Sequence, residues 1–363
     1  VTDWRGTTVL KRIGIITPLV AATALVGGVA GAQATWTAEP FPQRPGLSSA
    51  ISTASSGGGE TWAFGSYGQA GGTSSTSQAY RRGADGSWAE VPVPPIGHLV
   101  SSAVAGPNDA WAVGWGYKNT AGALLRWDGA AWTEVPVDVP GATRVRPDDV
   151  VAVGDEVWLI GKGYDDGQEP RQHSFAKRWD GAAWQDLPLP EPANEATLGA
   201  IGGGPDDLWI AGTRGDAAMA LHWDGTAWAE GPVPPVEMPE NALLEVNDVT
   251  ARAADDVWIS AAARIYDQPE QTEPVLLHWN GAAWSEAPAP DAGAPGEFVH
   301  AEGALWNLAE TGPLRYDGTT WQAVDGPDEG PVHAGTEVDG RLLGIGSTDP
   351  SYEAAPFASI HTG

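Results

Sequence analysis

From Thr35 onward, short apolar segments alternate with Asp-Gly, Asn-Gly and Pro-rich breaks. One phrase recurs. Trp127-Asp128-Gly129-Ala130-Ala131-Trp132 returns as Trp179 to Trp184, as Trp223 to Trp228, with Asn280 for Asp as Trp279 to Trp284, and as Tyr316 to Trp321. Asp85-Gly86-Ser87-Trp88 is a shortened copy. Asp-Gly favours a tight turn, so each copy predicts a β-hairpin with aromatic residues on two paired strands.

Two tryptophan series alternate along the chain. Trp36, Trp88, Trp132, Trp184, Trp228, Trp284 and Trp321 belong to the hairpins and stand 37 to 56 residues apart. Trp62, Trp111, Trp158, Trp209, Trp258 and Trp306 sit in strands, with an apolar residue following in all but the last, and Leu343 takes the seventh place. Repeats of this length with about four short strands each are the sequence sign of propeller blades. In the fifth repeat the pattern predicts an inner strand near Val246 to Ala253 and a second near Val257 to Ala261. The third runs from Val275 to Trp279 and the outer from Ala283 to Ala287. Outer strands end in Pro-rich tails such as Val91-Pro92-Val93-Pro94-Pro95, as an exposed sheet edge permits.

The two ends complete each other. Thr35 to Pro42 reads as an outer strand without its blade, and Val332 to Gly363 as a blade without its outer strand. The prediction is an all-β, seven-bladed propeller of four-stranded antiparallel blades over 35–363, closed when the N-terminal strand joins the C-terminal blade. Closure removes two free sheet edges. The chain has no cysteine, so no disulfide or thiolate site contributes.

The first residues read differently. Lys11-Arg12, the apolar run Ile13 to Ala30 and Ala32-Gln33-Ala34 predict a secretory signal over 1–34. The expected protein is secreted, extracellular and free of the membrane once the signal is cleaved. The formal charge of −28 disfavours nucleic acid and anionic lipid as partners.

The repeats resemble the secreted β-propellers of actinobacteria and related soil bacteria, whose copies run roughly as Asp-Asp-Val-Trp followed by Leu-Leu-His-Trp-Asp-Gly-Thr-Ala-Trp. These are grouped loosely with kelch, galactose-oxidase-like and Asp-box propellers. The resemblance covers essentially all of 35–363 and implies the fold rather than an activity. The Trp-Asp-Gly-x-x-Trp turn is also similar to that of fucose-binding propeller lectins, which place an Arg and a Glu beside each sugar; these do not match onto every blade here. Galactose oxidase chemistry needs a Cys-crosslinked Tyr, which a cysteine-free chain cannot make. The sialidase arginine triad and Tyr nucleophile have no assignable counterparts.

Several side-chain sets remain as candidates. A base precedes the first hairpin aromatic or fills the matching place in every blade: Arg81, Arg126, Arg178, His222, His278, Arg315 and His361. An acid stands two residues before the strand Trp in five: Glu60, Asp109, Glu156, Asp207 and Asp256, with Ala304 breaking the series. Paired, they predict structural acid-to-base bonds, which removes His222 and His278 from catalysis or metal binding. Tyr67, Tyr117, Tyr164, Tyr266 and Tyr352 fall between the second and third strands, on one rim. Variable loops on a rigid scaffold carry binding, so these tyrosines are the predicted ligand contacts. Asp165-Asp166-Gly167 with Glu169, and Asp267 with Glu270 and Glu273, offer oxygen ligands but fit no regular calcium loop. No metal or cofactor is therefore predicted. No nucleophile elbow, metalloprotease motif or P-loop is present. Asp148, Glu195, Asp248 and Glu297 near the channel mouth are the carboxylates available for glycoside chemistry.

The reading is a non-catalytic, monomeric binding module that recognises a carbohydrate or an extracellular protein. The alternatives are an extracellular glycan-acting hydrolase or lyase, and a cell-surface structural repeat protein.

Overall fold

The computed structural model describes residues 35–363 except 71, 73, 117–121, 166–170, 192, 205–206, 266–267, 291–292 and 349–353. Seven four-stranded antiparallel sheets form the blades of a β-propeller. In six blades the strands follow chain order from the inside outward. The innermost are Ser48–Gly57, His98–Gly106, Arg144–Val153, Thr197–Gly204, Ala242–Ala253 and Phe298–Ala301. The seventh blade holds Val332–Val338, Arg341–Ser347 and Pro356–Thr362, and its outer strand is Thr35–Glu39 from the other end of the chain. The closing register runs from Thr35↔Thr362 to Glu39↔Ala358. Beyond these hydrogen bonds, Glu39 accepts from Arg82 Nε at 2.9 Å and from Trp88 Nε1 at 2.9 Å, tying the closing strand to the first blade.

The hairpins form where the repeat places them. Trp127 pairs with Trp132, Trp179 with Trp184, Trp223 with Trp228 and Trp279 with Trp284. The loop is four residues rather than a two-residue turn. The first side chain caps it: Asp128 Oδ1 accepts the Ala130 and Ala131 N–H groups, both at 2.9 Å. Gly129 follows at φ 93°, a conformation that carries a steric penalty for any residue with a Cβ.

The tryptophans join blades. Trp62 meets Trp132 of the next blade edge-on, with centroids 5.1 Å apart. The same contact recurs between Trp111 and Trp184, Trp158 and Trp228, Trp209 and Trp284, and Trp258 and Trp321. At the last junction Trp306 meets His361 instead. Each sheet is covered on both faces by its neighbours. That is why second strands such as Val157-Trp158-Leu159-Ile160 read as unbroken apolar runs and are buried throughout.

The five predicted acid–base pairs all form. Arg81 bonds Glu60 at 2.5 Å, Arg126 bonds Asp109 at 2.8 Å and Arg178 stands 3.2 Å from Glu156. His222 meets Asp207 at 2.8 Å and His278 meets Asp256 at 2.9 Å. His361 finds Glu302 at 2.8 Å, and Arg315, whose blade has Ala304 in place of the acid, lies over the Trp306 ring at 5.7 Å. In the fifth blade the inner and third strands begin earlier than the pattern predicts, at Ala242 and Gln268. The added rim residues include Leu243, 51% exposed, so no alternation marks them. Among the described residues no helix is long and apolar enough to cross a membrane.

Candidate functional site

The inner strands share an irregularity that organises the channel. Six have a register shift at the same height, between Ile51 and Thr53, Leu99 and Ser101, Pro147 and Asp149, Leu198 and Ala200, Val246 and Asp248, and Val332 and Ala334. A bulge inserts one unpaired residue and re-aims its side chain. The inserted residues are Ser52, Val100, Asp148, Gly199, Asn247 and His333, and all six line one central cavity of about 510 Å³. Ser52, Asn247 and His333 are exposed there. The bulge also pushes a carbonyl against the second strand: a Cβ on Gly65, Gly114, Gly161 or Gly212 would lie 2.0 to 2.3 Å from an inner-strand oxygen. This accounts for the glycine three residues after the strand Trp in those blades.

The residues just after the six bulges, Thr53, Ser101, Asp149, Ala200, Asp248 and Ala334, form a second ring together with Glu297, which immediately precedes the unbulged inner strand of the sixth blade. Each polar member reaches the inner strand of the next blade. Val150 N–H donates to Ser101 Oγ at 3.2 Å, Ile201 N–H to Asp149 Oδ2 at 2.7 Å and Phe298 N–H to Asp248 Oδ2 at 2.6 Å. Gly335 N–H donates to Glu297 Oε2 at 3.2 Å, and Thr53 and Ser102 hydroxyls meet at 3.1 Å. Bonds of this kind satisfy inner-strand N–H groups that the bulge takes out of the ladder.

The ring concentrates negative charge. Burial pushes the Asp149 carboxyl up to about 6, against the bonds from Ser101, Ile201 and Val150. Burial pushes Asp248 up to about 7, with the Asp149 charge adding to it. Glu297 rises well above its ordinary value through burial and then the Asp248 charge. Like charges along one wall cannot all ionise freely.

Of the four carboxylates expected at the channel mouth, Asp148, Asp248 and Glu297 line this cavity together. Glu195 does not; it closes a single 3-10 turn at Ala193–Glu195, outside the residues lining the channel. Asp149 was not legible as a candidate, because the bulge that sends Asp148 inward and Asp149 toward the next blade leaves no periodic trace. Tyr67 and Tyr164 lie at the ends of second strands, Glu60–Gly68 and Glu156–Asp165, rather than in the connections beyond them. Each ring carries a guanidinium, Arg44 at 3.8 Å from the Tyr67 centroid and Arg144 at 5.1 Å from that of Tyr164. Tyr67 lines its own cavity of about 420 Å³ with Ser66, Gln69 and His98. Tyr117, Tyr266 and Tyr352 lie outside the described residues. So do Asp166, Gly167, Glu169 and Asp267 of the acidic loops, together with the side chain of Glu270. Among the described residues no three His, Asp or Glu side chains are arranged to hold a metal ion.

No protein-family model matches the chain, and no curated protein matches it. Solved structures do share its fold. One described as YCF48 bound to D1 peptide is 16% identical with a TM-score of 0.54, covering 90% of this chain and 96% of its own. A polysaccharide lyase of the PL25 ulvan lyase family is 10% identical with a TM-score of 0.55, covering 87% and 95%. A six-bladed fucose-recognising lectin from Aleuria aurantia is 13% identical with a TM-score of 0.45, covering 80% and 98%. At these identities the likeness is one of architecture.

Proposed function

We propose that this chain is an exported, non-catalytic binding module of the kelch-like, actinobacterial type, holding a carbohydrate or a protein segment at the mouth of its central channel. The observation that carries the reading is the bulge ring. Ser52, Asn247 and His333 stand exposed in one cavity, on strands that the second ring locks to one another. Polar side chains fixed on a rigid wall suit a ligand rich in hydroxyl or amide groups. The carboxylates beside them are bound to neighbouring blades: both oxygens of Asp149 and of Asp248 accept N–H or O–H groups of the wall. The fold is shared with a peptide-bound protein and a polysaccharide lyase, so both ligand classes suit it. Export rests on the Lys11 to Ala34 segment.

Glycan and peptide arrays probed with the full chain test the reading. Binding is expected to be lost in the Asn247→Ala, His333→Ala double variant while urea melting is kept. Binding that survives the double variant, or no hit on either array, overturns it.

One observation favours a second reading. Asp248 and Glu297 line the same cavity, and a carboxyl titrating near 7 is suited to general acid chemistry. A glycan-acting enzyme would release reducing ends from a polysaccharide and lose that activity in Asp248→Asn while still binding.

A further inference from the structure

A second cavity of about 420 Å³ opens beside the channel and shares Trp115, Asp148, Gly199 and Asn247 with it. Two cations line it, Arg146 and Lys162. The Lys162 side chain is only 10% exposed, and its ammonium stands 4.0 Å from Asp148 Oδ2. Arg146 Nε lies 2.7 Å from the other Asp148 oxygen, and its guanidinium sits 4.9 Å from the Trp115 ring centre. The remaining acid on the wall, Glu245, is taken by Arg264 at 2.5 Å. Two buried cations therefore share one carboxylate, in a chain whose net charge is −28. Burial lowers the pKa of Lys162 and raises that of Asp148, as expected for charges held with incomplete compensation.

The repeat supplies an independent argument. Lys162 and Trp115 hold the same position of consecutive blades, four residues after the strand Trp. Elsewhere that position is Ser66, Thr213, Ala262, Glu310 or Ser347. Every other tryptophan from Trp36 onward falls at a repeated packing position; Trp115 alone does not. The repeated tryptophan contact between blades thus accounts for neither residue. An aromatic surface beside two cations matches a sugar ring bearing an anionic substituent: the ring contacts Trp115 and the anion pairs with Lys162 and Arg146.

We propose that this cavity takes the carboxylate or sulfate of an acidic sugar unit whose chain continues into the channel. The assignment rests on the binding reading above and narrows it to anionic glycans. Affinity electrophoresis of the full chain tests it, with polygalacturonate and alginate as carboxylate polymers, dextran sulfate and carrageenan as sulfate polymers, and dextran as the neutral one. Retardation by at least one anionic polymer and not by dextran is expected, and which polymer retards separates carboxylate from sulfate. Lys162→Met and Trp115→Ala should each weaken it at least tenfold, and Lys162→Arg should keep it, with urea midpoints reporting folding. Retardation unchanged in Lys162→Met and Trp115→Ala overturns the assignment, as does none by any anionic polymer. Array hits that depend on Asn247 and His333 would still stand, so the broader reading fails or survives separately.

Discussion

Replacing Asp248 by Asn tests whether the carboxylate ring stores electrostatic cost. The folded chain holds the Asp248 proton up to about pH 7, against an ordinary value of 3.8. The unfolded chain releases it near 4. Between these values the folded state binds more protons, so its stability is greatest below about pH 4 and falls as pH rises toward 7. Each pKa unit corresponds to about 1.4 kcal/mol, so the full shift sets a ceiling of roughly 4 kcal/mol. The carboxyl faces an open channel whose solvent screens it, which halves the expectation to about 2 kcal/mol. Asn mimics the protonated acid, keeping one carbonyl for an N–H of Val249 or Phe298. Asp248→Asn should therefore match the parent at pH 4.5 and exceed it by about 2 kcal/mol at pH 8. Urea melts at the two pH values measure this. Removing one charge also eases ionisation of Asp149 and Glu297, so their apparent titration should shift downward together. A variant destabilised equally at both pH values would refute the reasoning, because the ionised carboxylate would then be a favourable latch to Phe298.

Four further substitutions probe the scaffold, each read by urea melting. Trp132→Ala should cost about 3–5 kcal/mol, since its ring is buried against Trp62 and Phe64, and Trp184→Ala less, because Trp184 is only half-buried. Glu39→Ala should cost about 3–5 kcal/mol by stranding Arg82, whose side chain is 10% exposed, and by loosening ring closure. Gly161→Ala should cost roughly 1–3 kcal/mol, because its Cβ would lie 2.3 Å from the Arg146 carbonyl oxygen.

What the sequence reveals here follows the range of the interactions. The hairpins are legible because Asp128 and its counterparts cap loops with their own neighbours. The acid–base pairs are legible because Trp62↔Arg81 and its equivalents lie directly across two adjacent strands, at fixed offsets. Closure is legible from what each end lacks. The channel wall is not, since it is made by bulges, and a bulge moves each side chain by one place without changing composition. That is how Asp148 comes to line the cavity while Asp149, one residue on, bonds Ile201 of the next blade. The tyrosines drew notice as aromatics in variable connections; the structure gives Tyr67 and Tyr164 arginine partners instead, at strand ends. Lys162 belongs to no motif of the repeat, and only its blade position shows how unusual it is.

The acidic surface gives the anion cavity a distinctive salt response. A basic protein binds polyanions through released counterions, and its affinity falls steeply with salt. Here the formal charge of −28 opposes the approach of any polyanion. That repulsion acts across distances beyond the Debye length of about 8 Å at 0.15 M and is screened by salt. The contacts with Lys162 and Arg146 are short and buried, and salt weakens them less. Raising NaCl from about 10 mM to 150 mM should therefore leave binding of an acidic glycan unchanged or strengthen it, mainly through faster association. Titrations across that range, with Lys162→Met alongside, measure both parts. A steep loss of affinity with salt that persists in Lys162→Met would place the polymer on exposed cations elsewhere on the surface and refute the buried pair as its anchor.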